Sequence, residues 1–173
     1  MRILLGVFLS FCIVVTSCKS DKVSEVISET QEQIDAKTIS LIDIESMRYD
    51  DFGLSMDSQN VVVDWQKFQN LNTQIYSLKN GDLSYFSGDP LLVKTLLQEL
   101  RTEMPVQLQT NEISARITAL DTKTQKLNSF LRIDNIQKAE KLEAIKEVLI
   151  AASNLNLQIN KKFEFDKNNV TEY

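Results

Sequence analysis

The sequence predicts an all-α protein, an antiparallel (up-down) helical bundle of three to four helices with a kink or break near Pro105. Three observations favour this fold class. Apolar residues recur every three or four positions through long segments after residue 60, short connections join these segments, and no run alternates as a credible strand does. The same spacing favours side-by-side packing with small crossing angles.

The first strong helical segment begins near residue 60. Asp57 or Ser58 is expected to cap its start, and Asn80 with Gly81 is expected to end it. Its apolar residues lie on one face of an α-helix, which predicts that Trp65 belongs to the core and not to a ligand-stacking site. The stripe consists of Val61, Trp65, Phe68, Leu71, Ile75 and Leu78.

The second helix is expected to begin at Asp89 and Pro90, because aspartate is a good helix cap and proline suits the first helical position. Its predicted buried face is Leu92, Leu96, Leu97 and Leu100. After Pro105 the apolar stripe moves around the helix by roughly a quarter turn. We expect a break there, because proline removes a backbone donor and clashes with the preceding turn. The next stripe consists of Val106, Ile113, Ile117, Leu120, Leu127 and Leu131.

The last helical segment covers residues 135–165, which contain neither glycine nor proline. Asn156 is the one interruption of its apolar face, and the polar residues 167–173 are expected to fray. That face consists of Ala139, Leu142, Ile145, Leu149, Ala152, Ile159 and Phe163.

The region before the bundle is more polar. Residues 18–34 are predicted to form a polar tether or a loosely held helix, and residues 35–47 a better-packed helical segment. Asp50, Asp51, Phe52 and Gly53 are predicted to form a turn. The bundle domain is therefore expected to span residues 35–166.

Composition excludes several function classes. A length of 173 residues suits one domain, and a net charge of -5 disfavours nucleic acid as a partner. The chain has no histidine, which excludes imidazole bases, histidine-containing triads and histidine metal sites. It also lacks a glycine-rich phosphate loop. We expect no cofactor, no metal and no enzymatic activity.

The first residues have the layout of a secretory signal. Arg2 precedes an apolar run over residues 3–15, which is too short for a permanent membrane span. Val15, Thr16, Ser17 and Cys18 follow the pattern of a branched aliphatic residue, two small residues and a cysteine. This segment resembles the lipobox of bacterial lipoproteins. The resemblance covers only the first 18 residues and departs from the commonest pattern, which has leucine where Val15 stands.

The resemblance implies that residues 1–17 are a signal peptide, cleaved between Ser17 and Cys18. The thiol of Cys18 would then carry a diacylglycerol, so the lipid bilayer is an expected partner. Cys12 would leave with the leader, and the one remaining thiol could form no internal disulfide. Lys19, where an aspartate would favour the inner membrane in enterobacteria, favours an outer-membrane location in the cell envelope.

One connection, residues 81–89, carries two adjacent aromatic side chains. Tyr85 and Phe86 are candidate partner contacts, because aromatic residues are common anchors in interfaces. The alternative is a structural loop in which Phe86 seals the end of the bundle and Asp89 caps the next helix.

These observations lead to three function hypotheses. The first is a non-catalytic, lipid-anchored envelope protein whose bundle binds an envelope protein as an adaptor, scaffold or inhibitor. The second is a carrier of a small ligand or lipid, with an opening at the Pro105 break and a pocket of at least roughly 300 Å³. The third is a carboxylate-based hydrolase, for which Asp50 with Asp51 or Asp82 with Asp89 are the candidate pairs.

Overall fold

The computed structural model describes Thr30 and residues 37–170 of the chain. Over these residues the protein is an all-α bundle without strands, which confirms the predicted fold class. Four long helices make up most of it. Two short helices precede the first long one, and a third short helix and one 3-10 helix lie between long helices. The α-helices are α1 (Leu41–Glu45), α2 (Met56–Val62), α3 (Gln66–Lys79), α4 (Ser84–Ser87), α5 (Pro90–Thr102), α6 (Asn111–Arg132) and α7 (Lys138–Val170), and the 3-10 helix is Val106–Leu108.

Neighbouring long helices are antiparallel. In the α6–α7 pair, Glu147 lies 2.8 Å from the Lys126 ammonium, while Arg116, earlier in α6, shares a cleft with Asn154, later in α7. In the α5–α6 pair, Arg101 near the end of α5 donates a 3.1 Å hydrogen bond to Thr118 in the first half of α6. Such up-down order follows from short connections between consecutive helices.

The core is one continuous cluster drawn from all long helices and from the four shorter elements described. It confirms most of the predicted stripes, since apolar residues at helical spacing are the ones that leave solvent. The largest fully buried side chains are Trp65, Phe68, Phe86, Leu78, Leu97, Leu100, Leu108, Ile113, Ile117, Leu120, Leu127 and Ile145.

The first predicted helix is two helices. It breaks after Val62, and α3 begins after Trp65, whose backbone is not helical and whose ring packs in the core against Phe68 at 5.1 Å between ring centroids. The break also buries Val62 in place of the predicted Val61. Ser55 caps α2, so the prediction of Asp57 or Ser58 as the cap was wrong.

The predicted end of that helix is confirmed. Asn80 is the C-cap residue of α3, and Gly81 follows it with a positive φ of 85°. This conformation favours glycine because a side chain would be strained there.

Two stripes differ from the prediction by one or two residues. In α5, Leu92 is 61% exposed and Val93 is 1% exposed, so the buried face includes Val93 instead of Leu92. Pro105 breaks the chain as predicted, but the 3-10 helix that follows exposes Val106 and buries Leu108. A 3-10 turn has three residues per turn, which rotates the side chains relative to an α-helical stripe.

The last helix is longer than predicted. It begins at Lys138 and includes residues 167–170, which were expected to fray. Ala139, in its first turn, is exposed and does not belong to the buried face. Lys162 pairs with Asp166, and Lys167 approaches Asp57 at 4.0 Å, so the last turns interact with their surroundings.

The region upstream of α2 differs most from the prediction. Within the described part of the range 35–47, Lys37 is helical, residues 38–40 are not, and α1 begins after them with a capping box formed by Ser40 and Asp43. The turn expected at residues 50–53 is absent, and residues 49–55 form a segment without helix, strand or turn, which we call the strap. The signal peptide and the tether, apart from Thr30, lie outside the described residues.

Candidate functional site

The predicted lipid-attachment site lies outside the part of the chain that the structure describes. Ser17 and Cys18 precede its first described residue, Thr30, so cleavage and acylation there remain predictions. The described chain continues from Lys37, which lines a cleft of about 530 Å³ together with residues 134–139 and Lys141. The described chain therefore joins the bundle beside the turn between α6 and α7.

Phe86 belongs to the core and not to a contact surface. Its side chain is 1% exposed, and its ring meets that of Tyr85 edge-on at 5.3 Å. The Asn128 side chain donates hydrogen bonds to the carbonyls of Phe86, at 2.8 Å, and Gly88, at 3.1 Å. The idea that Phe86 contacts a partner is therefore wrong, because packing and the Asn128 clamp hold it inside the bundle end.

Tyr85 remains accessible in part. Its hydroxyl donates a 3.4 Å hydrogen bond to the carbonyl of Leu92, and burial raises the pKa of its phenol above the ordinary value. A contact between Tyr85 and a partner stays a prediction.

Three of the four candidate catalytic carboxylates, those of Asp51, Asp82 and Asp89, have structural contacts. Asp82 accepts the backbone N–H of Ser84 at 2.9 Å, and hydrogen bonds from Ser84 lower the pKa of Asp82. Asp89 caps α5 by accepting the N–H of Leu91 at 2.8 Å. In the other pair, Asp51 forms a 2.6 Å ion pair with Lys79, and the backbone carbonyl of Asp50 accepts a hydrogen bond.

The strap is held by side chains of α7 that the sequence analysis did not single out as a binding set. Ser153 accepts the N–H of Phe52 at 2.8 Å and donates to the carbonyl of Asp50 at 2.6 Å. One turn later, Asn156 donates to the carbonyl of Phe52 at 3.0 Å. These contacts satisfy backbone groups that a strand partner would otherwise satisfy.

Asn160 adds the next contacts one turn further along α7. We call the hydrogen bonds from Ser153, Asn156 and Asn160 to the strap the ladder. The Asn160 side chain donates to the carbonyl of Gly53 and accepts the N–H of Ser55, each at 2.8 Å. The spacing of three and four residues between Ser153, Asn156 and Asn160 places all three on one face of α7. That spacing was the sequence signal that could have identified the three residues as a set. The sequence analysis noted only Asn156, as an interruption of an apolar face.

One end of the bundle, which we call the entry end, collects Lys37, α1, the loop of residues 81–89, the start of α5 and the turn between α6 and α7. A Cβ at Gly81 would lie 3.5 Å from the Cα of Leu41, and Asp43 pairs with Lys138 at 2.8 Å. Pro90 shares a cleft with Arg132. Large apolar side chains are exposed here: Leu41, Ile42, Leu91, Leu92 and Ile133.

The opposite end, which we call the far end, combines the start of α2, the break at Pro105, the start of α6 and the end of α7. Glu112 and Phe165 line an open cleft of about 560 Å³ there, and Asp57 approaches Lys167. Three large apolar side chains are more than half exposed at this end: Met56 at 74%, Val106 at 83% and Phe165 at 65%.

The clefts at the two ends of the bundle differ from the apolar cavity that a carrier requires. The cleft at the entry end contains Lys37, Asp134, Lys138 and Lys141, and the cleft at the far end contains two lysines and two carboxylates. Both exceed the roughly 300 Å³ of a small-molecule pocket. Neither is lined by Pro105, the expected opening.

Two buried polar atoms have no hydrogen-bond partner among the described residues, the indole nitrogen of Trp65 and the hydroxyl of Thr124. Trp65 itself is a core residue, as predicted, at 2% exposure. Over residues 37–170, no cluster of three or more carboxylate or cysteine side chains has a metal-binding arrangement. None of the helices described combines the length and hydrophobicity that crossing a membrane requires.

Comparison with known proteins adds no relative. The chain matches no protein family, and no curated protein or solved structure is significantly similar to it.

Proposed function

We propose that this protein is a lipid-anchored component of a bacterial cell envelope, and that its helical bundle acts through contacts with other envelope proteins. The observation that carries the proposal is the sequence Val15, Thr16, Ser17 and Cys18 directly after a basic and apolar leader. The anchor would be the acylated Cys18. Several acyl chains on one residue hold a protein on a bilayer far more firmly than one chain does.

The fold supports a role in binding more than one in catalysis. The candidate carboxylates Asp51, Asp82 and Asp89 are engaged in an ion pair and in backbone hydrogen bonds. The far end, in contrast, exposes Met56, Val106 and Phe165, of which Phe165 lines a cleft with charged residues, and exposed apolar side chains beside polar ones are typical of protein-binding surfaces.

The anchor is tested by replacing each cysteine separately in cells fed radioactive palmitate. Cys18→Ser should abolish labelling and release the protein from the membrane fraction, because it removes the thiol that would be acylated. Cys12→Ser is the matched control, and it should leave both properties unchanged, since Cys12 lies in the leader. Equal labelling of the two variants would contradict the anchor. After the inner and outer membranes are separated, the wild-type protein should be found in the outer-membrane fraction.

The interaction role is tested by placing a photo-crosslinking amino acid at Val106 or at Phe165 in the native envelope. We expect one discrete protein adduct from these positions, because both side chains are exposed at the far end. Gln98, exposed in the middle of α5, serves as the control position and should give no adduct. If the far-end positions crosslink no more than Gln98, a protein-binding role for this surface is wrong.

A further inference from the structure

We infer that the entry end of the bundle rests on the lipid bilayer, with Ile42, Leu91 and Leu92 in contact with the membrane interface. The inference rests on the proposed anchor at Cys18 and adds to it the orientation of the domain and a second, non-covalent membrane contact.

The attachment point of the tether favours this orientation. Eighteen residues lie between Cys18 and Lys37, where the described chain continues at the entry end. A chain of this length reaches at most roughly 65 Å when fully extended. Helix α7 contains 33 residues and is about 50 Å long. The tether joins the bundle at the entry end, so this end is the one next to the anchor along the chain, and the far end is separated from it by the length of α7.

The chemistry of the entry end suits a membrane interface. Ile42 is 76% exposed, Leu91 65% and Leu92 61%, and Ile133 adds a smaller exposed surface beside them. Apolar side chains of this size gain free energy when they enter the boundary between headgroups and acyl chains. In a monomer in water they would remain hydrated at a cost, so a covering surface accounts for their exposure.

Charged residues around this surface are arranged to permit such contact. Lys94 and Arg132 line the cleft beside Pro90 and are exposed, so they can approach lipid phosphates. The nearby carboxylates Asp82 and Asp89 accept backbone N–H groups of Ser84 and Leu91, which directs them toward the protein. Asp43 is paired with Lys138, and Asp134 lies in a cleft with three lysines.

The test is hydroxyl-radical footprinting of the full chain from Cys18 onward, coupled through that thiol to a maleimide lipid. The vesicles contain phosphatidylethanolamine and phosphatidylglycerol in a ratio of about three to one. We expect the oxidation rates of Ile42, Leu91 and Leu92 to fall at least about threefold on vesicles. The rates of Val106 and Phe165, equally exposed at the far end, should stay unchanged. Unchanged rates at the entry end, or equal protection of both ends, would overturn the orientation.

Two further arms distinguish membrane contact from self-association and from the lack of an anchor. The same chain without vesicles is footprinted over a range of protein concentrations, and protection of Leu91 that rises with concentration would assign the surface to a second copy and overturn the inference. Native protein is examined by intact mass. An unmodified Cys18 would overturn the proposed anchor and the inference with it, whereas a failed footprint with the imposed anchor overturns the orientation alone.

A double variant provides an independent check. Leu91→Ser with Leu92→Ser should abolish the protection of Ile42 on vesicles, whereas Val106→Ser with Phe165→Ser should leave it unchanged. All four side chains are exposed, so both variants should fold, and circular dichroism verifies this. If the first variant retains the protection of Ile42, the two leucines do not hold this end on the membrane.

Discussion

Asn128 is a buried polar residue whose side chain joins two distant parts of the chain. It is 4% exposed and donates to the carbonyls of Phe86 and Gly88, which end the short helix α4. Helix ends leave carbonyls without intrahelical partners, and buried ones need partners from elsewhere. Asn128 thus fixes the loop that the aromatic residues had marked as a candidate contact surface.

Asn128→Ala is expected to lower the free energy of unfolding by about 2 kcal/mol, because it leaves buried carbonyl groups without a donor. Urea denaturation measures this change. Asn70→Ala is the matched control in an exposed helical position, and its effect should stay within about 0.5 kcal/mol. Equal stability of the two variants would show that the clamp on α4 contributes little.

Burial of individual residues could be predicted to within about one helical position, and the errors have a physical reason. Leu92, Leu96 and Leu100 follow helical spacing as well as Val93, Leu97 and Leu100 do. Packing against α3 and α6 decides which set is buried, and it buries Val93. Likewise, the identity of the cap of α2 depended on where the strap ends, which no local pattern indicates.

Among the elements, the long helices and the Pro105 break were predictable, whereas the strap was not. Periodic apolar residues and terminal Asp-Pro or Asn-Gly signals are local, so they can be read from the sequence. The strap depends on contacts between residues about 100 positions apart, such as Phe52 with Ser153. The strap is bound by three side chains of α7, Ser153, Asn156 and Asn160. They can be recognised as a set only when the position of the strap beside α7 is known. The anchor site, in contrast, rests on sequence alone.

The strap connects the two ends of the bundle, since α1 precedes it at the entry end and α2 follows it at the far end. Ser153→Ala removes both the acceptor for the Phe52 amide and the donor to Asp50. We expect the Phe52 amide to exchange with solvent at least about tenfold faster. In the variant these hydrogen bonds are missing, so local opening of the strap costs less free energy. Asn160→Ala should do the same for the amide of Ser55.

Hydrogen exchange followed by NMR resolves these two amides. Asn154→Ala is the matched control, because Asn154 lies on α7 between Ser153 and Asn156 but lines a cleft with residues of α6. Its substitution should leave the strap amides protected. If Ser153→Ala also leaves the Phe52 amide protected, packing of Tyr49 and Leu54 against the core holds the strap without the ladder.

For the whole molecule, the pH dependence of stability follows from a few shifted groups. The hydrogen bond from Lys138, together with those from Ser40, lowers the pKa of Asp43 from 3.8 to about 2. The hydrogen bond from Lys126 lowers the pKa of Glu147, and Ser84 lowers that of Asp82. A lowered carboxyl pKa contributes stability that is present above the unfolded pKa and is lost as pH falls through the folded one.

The alkaline side has the opposite sign. Burial raises the pKa values of Tyr49 and Tyr85, and the hydrogen bond to Glu99 raises the pKa of Lys67. A group with a raised pKa contributes stability that is complete below its unfolded pKa and is lost as pH rises through the folded pKa. Since the ordinary values are 10.0 for tyrosine and 10.5 for lysine, this loss begins near pH 10.

The chain has no histidine, so no side chain of that type titrates between the two limits. We therefore expect the thermal unfolding midpoint to be flat from about pH 5.5 to 9 and to fall on both sides. Differential scanning calorimetry of the chain from Cys18 onward measures this profile. Asp43→Asn should lower the plateau and reduce the acid slope between about pH 4 and 2, because the variant lacks the carboxylate that pairs with Lys138. A transition near pH 6 to 7 would contradict this expectation, since none of the shifted groups titrates there.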